Sequence, residues 1–182
     1  ANDDTNVEFD RMTEEDLLAR LLYRDAMMLV IDKPAGIAVH RGPKAAFGEH
    51  DALEAYFGAL KFGLPRAPAL AHRLDRDTSG CLVLGRHRKA LETLGDLFKS
   101  GQIDKTYWAV VEGGPEEDHG LIDLPLARRD ASRGWWMKVD PDGLPSQSRF
   151  TVMGRHEGLT WLALDPLTGR THQLRVHCAA MG

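Results

Sequence analysis

Cysteine is scarce in this chain of 182 residues: it has two, Cys81 and Cys178, too few for a disulfide framework or a cysteine zinc cluster. No apolar run approaches the roughly 20 residues that cross a bilayer, and no signal peptide is present. Internal repeats, low-complexity tracts and long linkers are absent as well. So are the Gly-x-Gly-x-x-Gly, P-loop, Gly-x-Ser-x-Gly and His-Glu-x-x-His patterns. The eight histidines offer no metal-ligand spacing, since His172 and His177 lie five apart and so on different faces of a helix. The expectation is a cytoplasmic protein without metal or cofactor, and a monomer, because no apolar stripe is left unassigned.

What is present is ordinary for a globular protein: 43% hydrophobic and 27% charged residues. The length fits one domain, and near 150 residues a domain buries roughly 70% of its unfolded surface. The net charge of −4 argues at first against a nucleic-acid partner. Its distribution reverses that, because residues 1–35 carry nine acids against four bases and the remainder is close to neutral. Basic side chains then cluster at Arg73 and Arg76, Arg86 to Lys89, Arg128 to Arg133, and Arg170 to Arg175. Local basic patches bind phosphate even on an acidic protein, because salt screens charges beyond about 8 Å. Solvated surface arginine explains any one of these clusters equally well.

Thr13 and Asp16 form a capping-box pattern, with Leu17, Leu18, Leu21 and Leu22 predicted as one apolar helical stripe. Leu29 to Ile31 predicts a buried strand running into the turn Asp32-Lys-Pro-Ala-Gly. Asp51 is placed as the cap of a helix whose Leu53, Tyr56, Phe57 and Leu60 share one face. Cys81 to Leu84 predicts a second buried strand. Arg88 to Lys99 predicts a helix with Leu91, Leu94 and Phe98 inward, closed by Gly101. Thr106 to Glu112 alternates, with Tyr107, Ala109 and Val111 on one face. Trp135–Val139, Arg149–Met153 and Leu159–Leu164 are predicted strands, and a last helix from about Thr171 is expected to run on to Gly182. Strands and helices without regular βαβ alternation indicate an α+β fold, a largely antiparallel or mixed sheet core with flanking helices.

Three segments are too polar for their apolar surroundings. In Ala71-His-Arg-Leu-Asp-Arg-Asp-Thr-Ser-Gly80, a turn at Thr78, Ser79 and Gly80 offers donors to Asp75 and Asp77. Such donors keep a carboxylate ionised, as a nucleophile or base requires; a purely structural Asx turn fits the same pattern. Tyr107, on its strand, is either a core aromatic or a ring that stacks on a planar base while its hydroxyl handles a proton. Arg170, predicted at a helix start, opposes the helix dipole, so a carboxylate partner or an anionic ligand is the better explanation for it. A fourth such segment, Ile31 to His40, reads as scaffold.

Together these segments resemble one family. His72-Arg-Leu-Asp-Arg-Asp-Thr-Ser-Gly80 resembles the catalytic motif of the RluA-type RNA pseudouridine synthases. Asp32-Lys-Pro-Ala-Gly36, Lys105-Thr-Tyr-Trp-Ala109 and Thr168-Gly-Arg-Thr-His-Gln-Leu-Arg175 match in the family's order, from about Leu29 to Gly182. The resemblance implies the pseudouridine synthase catalytic fold and isomerisation of uridine to pseudouridine in structured RNA, a ribosomal or transfer RNA stem-loop, with no cofactor. It implies Asp75 as the attacking carboxylate, Tyr107 as the base-stacking residue that assists removal of the C5 proton, and Arg170 as the partner of the aspartate. Arg73 is implied as the residue that fills the space left by the flipped uridine. His72, Lys105, Arg76 and Arg175 are placed on the substrate-binding side, the first two without a specific role. Arg76, Arg86, Arg88 and the Arg128–Arg133 loop are candidates for phosphate contacts. Residues 1–28 are expected to form an acidic leader with a short helix, and 29–182 a catalytic domain truncated at its C-terminus. Two other functions are kept: an RNA-binding or chaperone protein that retains the fold without turnover, and a glycosidic hydrolase using Asp75 and Asp77, for which two carboxylates so close on one turn are poor geometry.

Overall fold

The computed structural model describes residues 12–41, 52–128 and 137–182, and its contacts fall into two compact units, residues 1–100 and 101–182. In the first unit, the capping box forms as the sequence requires. Asp16 N–H donates to Thr13 Oγ1 at 3.1 Å and Thr13 N–H to the Asp16 carboxylate at 3.0 Å, opening helix α1 (Glu14–Ala19). The predicted leucine stripe does not form. The helix stops at Ala19, and Leu21 and Leu22 belong to strand β1 (Leu21–Arg24). The cause is local: the Arg20 carbonyl accepts from Asp32 N–H at 2.8 Å, which draws the chain out of the helix and into sheet pairing. Leu17 is buried, but Leu18 is 41% and Leu22 59% exposed. The segment read as a leader therefore supplies α1 and an edge strand.

Strands β2 (Met28–Lys33), β3 (Ala69–Leu70) and β4 (Gly80–Gly85) complete an antiparallel sheet of order β1-β2-β4-β3. Leu29, Ile31, Leu82 and Leu84 alternate inward and are fully buried. Cys81, on the opposite face, is exposed. Leu53–Leu60 buries Leu53, Phe57 and Leu60, but as a 3₁₀ helix with Tyr56 only half-buried. Gly58 weakens it, and Ala52 precedes it with no side-chain cap; the proposed cap Asp51 lies outside the described residues. Helix α2 (Arg88–Lys99) has its predicted bounds, and Leu91, Leu94 and Phe98 are half-buried.

The second unit pairs β5 (Tyr107–Glu112), β10 (Leu159–Pro166), β9 (Gln147–His156) and β6 (His119–Asp123) in that order, all antiparallel. The predicted alternation of β5 holds: Tyr107, Ala109 and Val111 pack on a core of Ile122, Phe150, Leu162 and Leu164, while Trp108 is 70% exposed. Strand β7 (Leu126–Arg128) pairs with β8 (Met137–Val139) as a separate ribbon. Of the predicted strand Trp135–Val139, the first two residues lie outside the described residues. Helix α3 (Gln173–Ala180) begins later than expected and closes before Gly182, with Met181 as its C-cap. Among the described residues no helix is long and apolar enough to cross a membrane.

Candidate active site

The loop between β3 and β4 carries the first group of candidate residues. Leu74 is buried and anchors it, Asp75 and His72 are half-buried, and Arg73, Arg76 and Asp77 are exposed. The loop is a turn closed by Thr78 N–H donating to the Asp75 carbonyl at 3.0 Å. His72 Nε2 accepts from Val83 N–H at 3.0 Å, and its ring stacks on Phe98 at 4.4 Å between centroids. Its Nε2 lone pair is therefore engaged within the unit, a positioning contact the sequence did not assign. Arg76 Nε donates to the Gly36 carbonyl at 3.2 Å.

The residue that organises this loop was read from sequence as scaffold. Lys33, at the end of β2, has no exposed surface. Its ammonium donates to the carbonyls of Pro34 at 2.7 Å, Arg76 at 2.9 Å and Thr78 at 2.8 Å, which uses all three of its donors. Gly36 N–H also donates to the Arg76 carbonyl at 2.8 Å, so segment 33–36 clamps segment 75–78 from both backbone and side chain. Burial pushes the Lys33 pKa down, while the Asp77 and Asp75 carboxylates act in the opposite sense. A lysine inside the apolar run Leu29-Val-Ile-Asp-Lys was the available signal, because a buried charge survives only when fully partnered.

One of the proposed phosphate contacts changes status. Arg86 is not available: Nη1 donates to the Asp25 carbonyl at 2.7 Å and Nη2 to the carbonyls of Lys61 and Phe62 at 3.4 and 3.3 Å. Its guanidinium ties the β1–β2 turn to the end of the 3₁₀ helix. Arg88 is exposed in the first turn of α2. Arg128 is exposed at the end of β7, and the rest of its cluster lies outside the described residues.

The second unit carries the other candidates. Tyr107 is half-buried at the start of β5 and packs on the core. Lys105 is half-buried just before it, and between them Thr106 Oγ1 donates to Asp165 at 2.6 Å, fixing the strand's entry. Arg175 is exposed on α3. Arg170 is not at a helix start. It lies in the loop ahead of α3, so the dipole argument does not apply to it. Its Nε donates to the Pro145 carbonyl at 3.1 Å and its backbone N–H to Gln173 Oε1 at 3.1 Å. Gln173 and His177 are buried. Neither was a candidate, although their i, i+4 spacing places them on one helix face.

The family described as RNA pseudouridylate synthase matches residues 27–180. An uncharacterized RNA pseudouridine synthase of Zymomonas mobilis is 43% identical over 164 residues, covering 90% of this chain and 73% of that protein. The ribosomal large subunit pseudouridine synthase C of Haemophilus ducreyi is 38% identical over 168 residues, covering 92% of this chain and 51% of that protein. The chain thus spans about half the length of that relative. A solved human structure, RNA pseudouridylate synthase domain containing 4, superposes with a TM-score of 0.78 at 25% identity, covering 92% of this chain and 66% of its own.

Proposed function

Since the chain belongs to the RNA pseudouridylate synthase family, we propose that it isomerises uridine to pseudouridine in structured RNA, with large-subunit ribosomal RNA as the substrate class. The substrate class is supported by the name of the Haemophilus ducreyi relative. The observation that carries the activity is the clamped turn bearing Asp75. A buried ammonium grips two carbonyls of this carboxylate's turn, those of Arg76 and Thr78, a preorganisation that a surface Asx turn does not need.

In the proposed scheme the target nucleotide is extruded from its stack, at a cost of a few kcal/mol, with Arg73 filling its place. Asp75 attacks the ribose–base system and the N1–C1′ bond breaks. The uracil rotates and C5 bonds to C1′, releasing the Asp75 carboxylate; C5 then loses its proton and N1 carries one, so the atoms balance without a co-reactant. Tyr107 stacks on the uracil and assists the C5 proton. Arg170 is the third residue that the resemblance of its motif assigns to the reaction. Arg76 and Arg175 are the proposed backbone contacts; Lys105 is kept on the substrate side, while His72 acts through the loop it anchors.

Tritium release from ribosomal RNA transcribed with [5-³H]uridine tests this reading. The parent protein is expected to release tritium and Asp75→Asn to release none. Release that persists in Asp75→Asn, or free uracil in place of pseudouridine, overturns it.

A further inference from the structure

The loop bearing Arg170 is held by a chain of hydrogen-bonded side chains. Gln173 Nε2 donates to the Gln147 carbonyl and to Ser148 Oγ, both at 2.8 Å. Its Oε1 accepts from the Thr168 hydroxyl at 2.7 Å and from Arg170 N–H at 3.1 Å. The amide therefore makes all four of its bonds. The opposite amide orientation would set N–H against N–H at Arg170 and oxygen against the Gln147 carbonyl, so the orientation is fixed. Ser148 Oγ, which accepts from Gln173, is also hydrogen-bonded to His177 Nδ1 at 2.8 Å, and His177 Nε2–H donates to the Leu124 carbonyl at 2.9 Å. Ser148, Gln173 and His177 are all buried.

A second strut runs through Thr168, whose Oγ1 also accepts from Gln147 N–H at 3.0 Å. Between Arg170 and the helix, His172 sits in the left-handed region at φ 51°, a conformation non-glycine residues keep only where their surroundings impose it. A loop tied by the four hydrogen bonds of the Gln173 amide, a strained residue and a guanidinium tied to Pro145 make a precise mount, and the side chain it mounts is Arg170.

We infer that Gln173, with Thr168, Ser148 and His177 behind it, is the positioning device for Arg170 in the proposed reaction. The inference rests on the activity proposed above. None of the four touches the reacting atoms. They fix where the guanidinium stands, and a misplacement of about 1 Å costs on the order of 10²-fold in rate.

The test uses Thr168→Val, Thr168→Ser and Gln173→Leu in the whole protein, with tritium release at saturating RNA, RNA affinity, and the ¹⁵N–¹H signal of the Arg170 Nε group, assigned by its loss in Arg170→Lys. Thr168→Val is expected to lower the saturating rate about 10-fold with RNA affinity within about twofold, to shift or broaden the Arg170 Nε signal, and to be restored by Thr168→Ser. Gln173→Leu is expected to do the same more strongly; if it does not fold, the Thr168 pair decides. An unmoved Arg170 signal in Thr168→Val, an unchanged rate, or a loss confined to RNA affinity overturns the inference. If the parent protein releases no tritium, the activity reading fails, and the Arg170 signal alone then decides whether the device positions this side chain.

Discussion

Lys33 shows how a single residue reshapes the site. Its ammonium reaches the Pro34, Arg76 and Thr78 carbonyls from one point, and Lys33 is fully buried. Lys33→Met keeps the volume but takes that donor from the Pro34 and Thr78 carbonyls, while the Arg76 carbonyl keeps Gly36 N–H. An orphaned buried group costs about 1–3 kcal/mol, so a loss of about 3 kcal/mol in urea denaturation is expected, together with a fall in tritium release from loosening of the Asp75 turn. A shift worth less than about 1 kcal/mol would mean that water reaches these carbonyls and that the clamp is not what holds the turn. Asp75 and its neighbours were legible in the sequence because turn formers and carboxylates crowd into a few positions. Lys33 was not, because its partners are backbone atoms more than forty positions away, and backbone carbonyls leave no mark in sequence.

Elements with a strong period were legible: α2 from its apolar spacing, β5 from its alternation, β4 from its continuous apolar run. Those that misled are short or decided by a neighbour. The Leu21–Leu22 pair follows the helical pattern but is claimed by β2, and β6 (His-Gly-Leu-Ile-Asp) is too brief and polar to announce a strand. The β1–β2 turn is set by Asp25, whose carboxylate accepts from Met28 N–H, Met27 N–H and the Tyr23 hydroxyl at 2.8, 2.7 and 2.9 Å. These bonds, the Met28 one foremost, lower its pKa below the ordinary 3.8. A depressed carboxyl pKa contributes stability that is fully present above the unfolded value and lost as pH falls through the folded one. Asn mimics the protonated acid, so the melting-temperature gap between the parent and Asp25→Asn should be constant near neutrality and close as pH falls below 3.8. A gap that stays open in acid would assign the effect to packing. The α2–β4 contact is set by Gly85, where an added Cβ would lie 2.9 Å from the Leu91 Cα. Gly85→Ala must push the helix off the strand, and about 1–3 kcal/mol of destabilisation is expected by urea denaturation; an unchanged midpoint would show that the helix yields freely.

For the molecule as a whole, the net charge of −4 hides which arginines are free to meet a polyanion. Arg86 and Arg88 are two positions apart and equivalent in the sequence, yet the fold assigns them opposite tasks. Arg86 is bound to three backbone carbonyls, with its Nε buried and unpartnered. Arg88 is exposed and opens α2 beside Lys89, with no acidic residue in that first turn. Positive charge there opposes the helix dipole, so helix stability does not account for it, and a phosphate contact is the role we propose for it. Arg88→Gln should therefore leave the melting temperature unchanged or slightly raised while weakening binding to ribosomal RNA transcript. It should also reduce the slope of log affinity against log salt by about 0.7–0.9, the value for one phosphate contact. Arg86→Gln should do the reverse, lowering stability by about 1–3 kcal/mol with the salt slope intact. Affinities measured between about 50 and 200 mM salt separate the two. A slope unaltered by Arg88→Gln would remove α2 from the RNA-facing surface and leave Arg76 as the first unit's proposed phosphate contact.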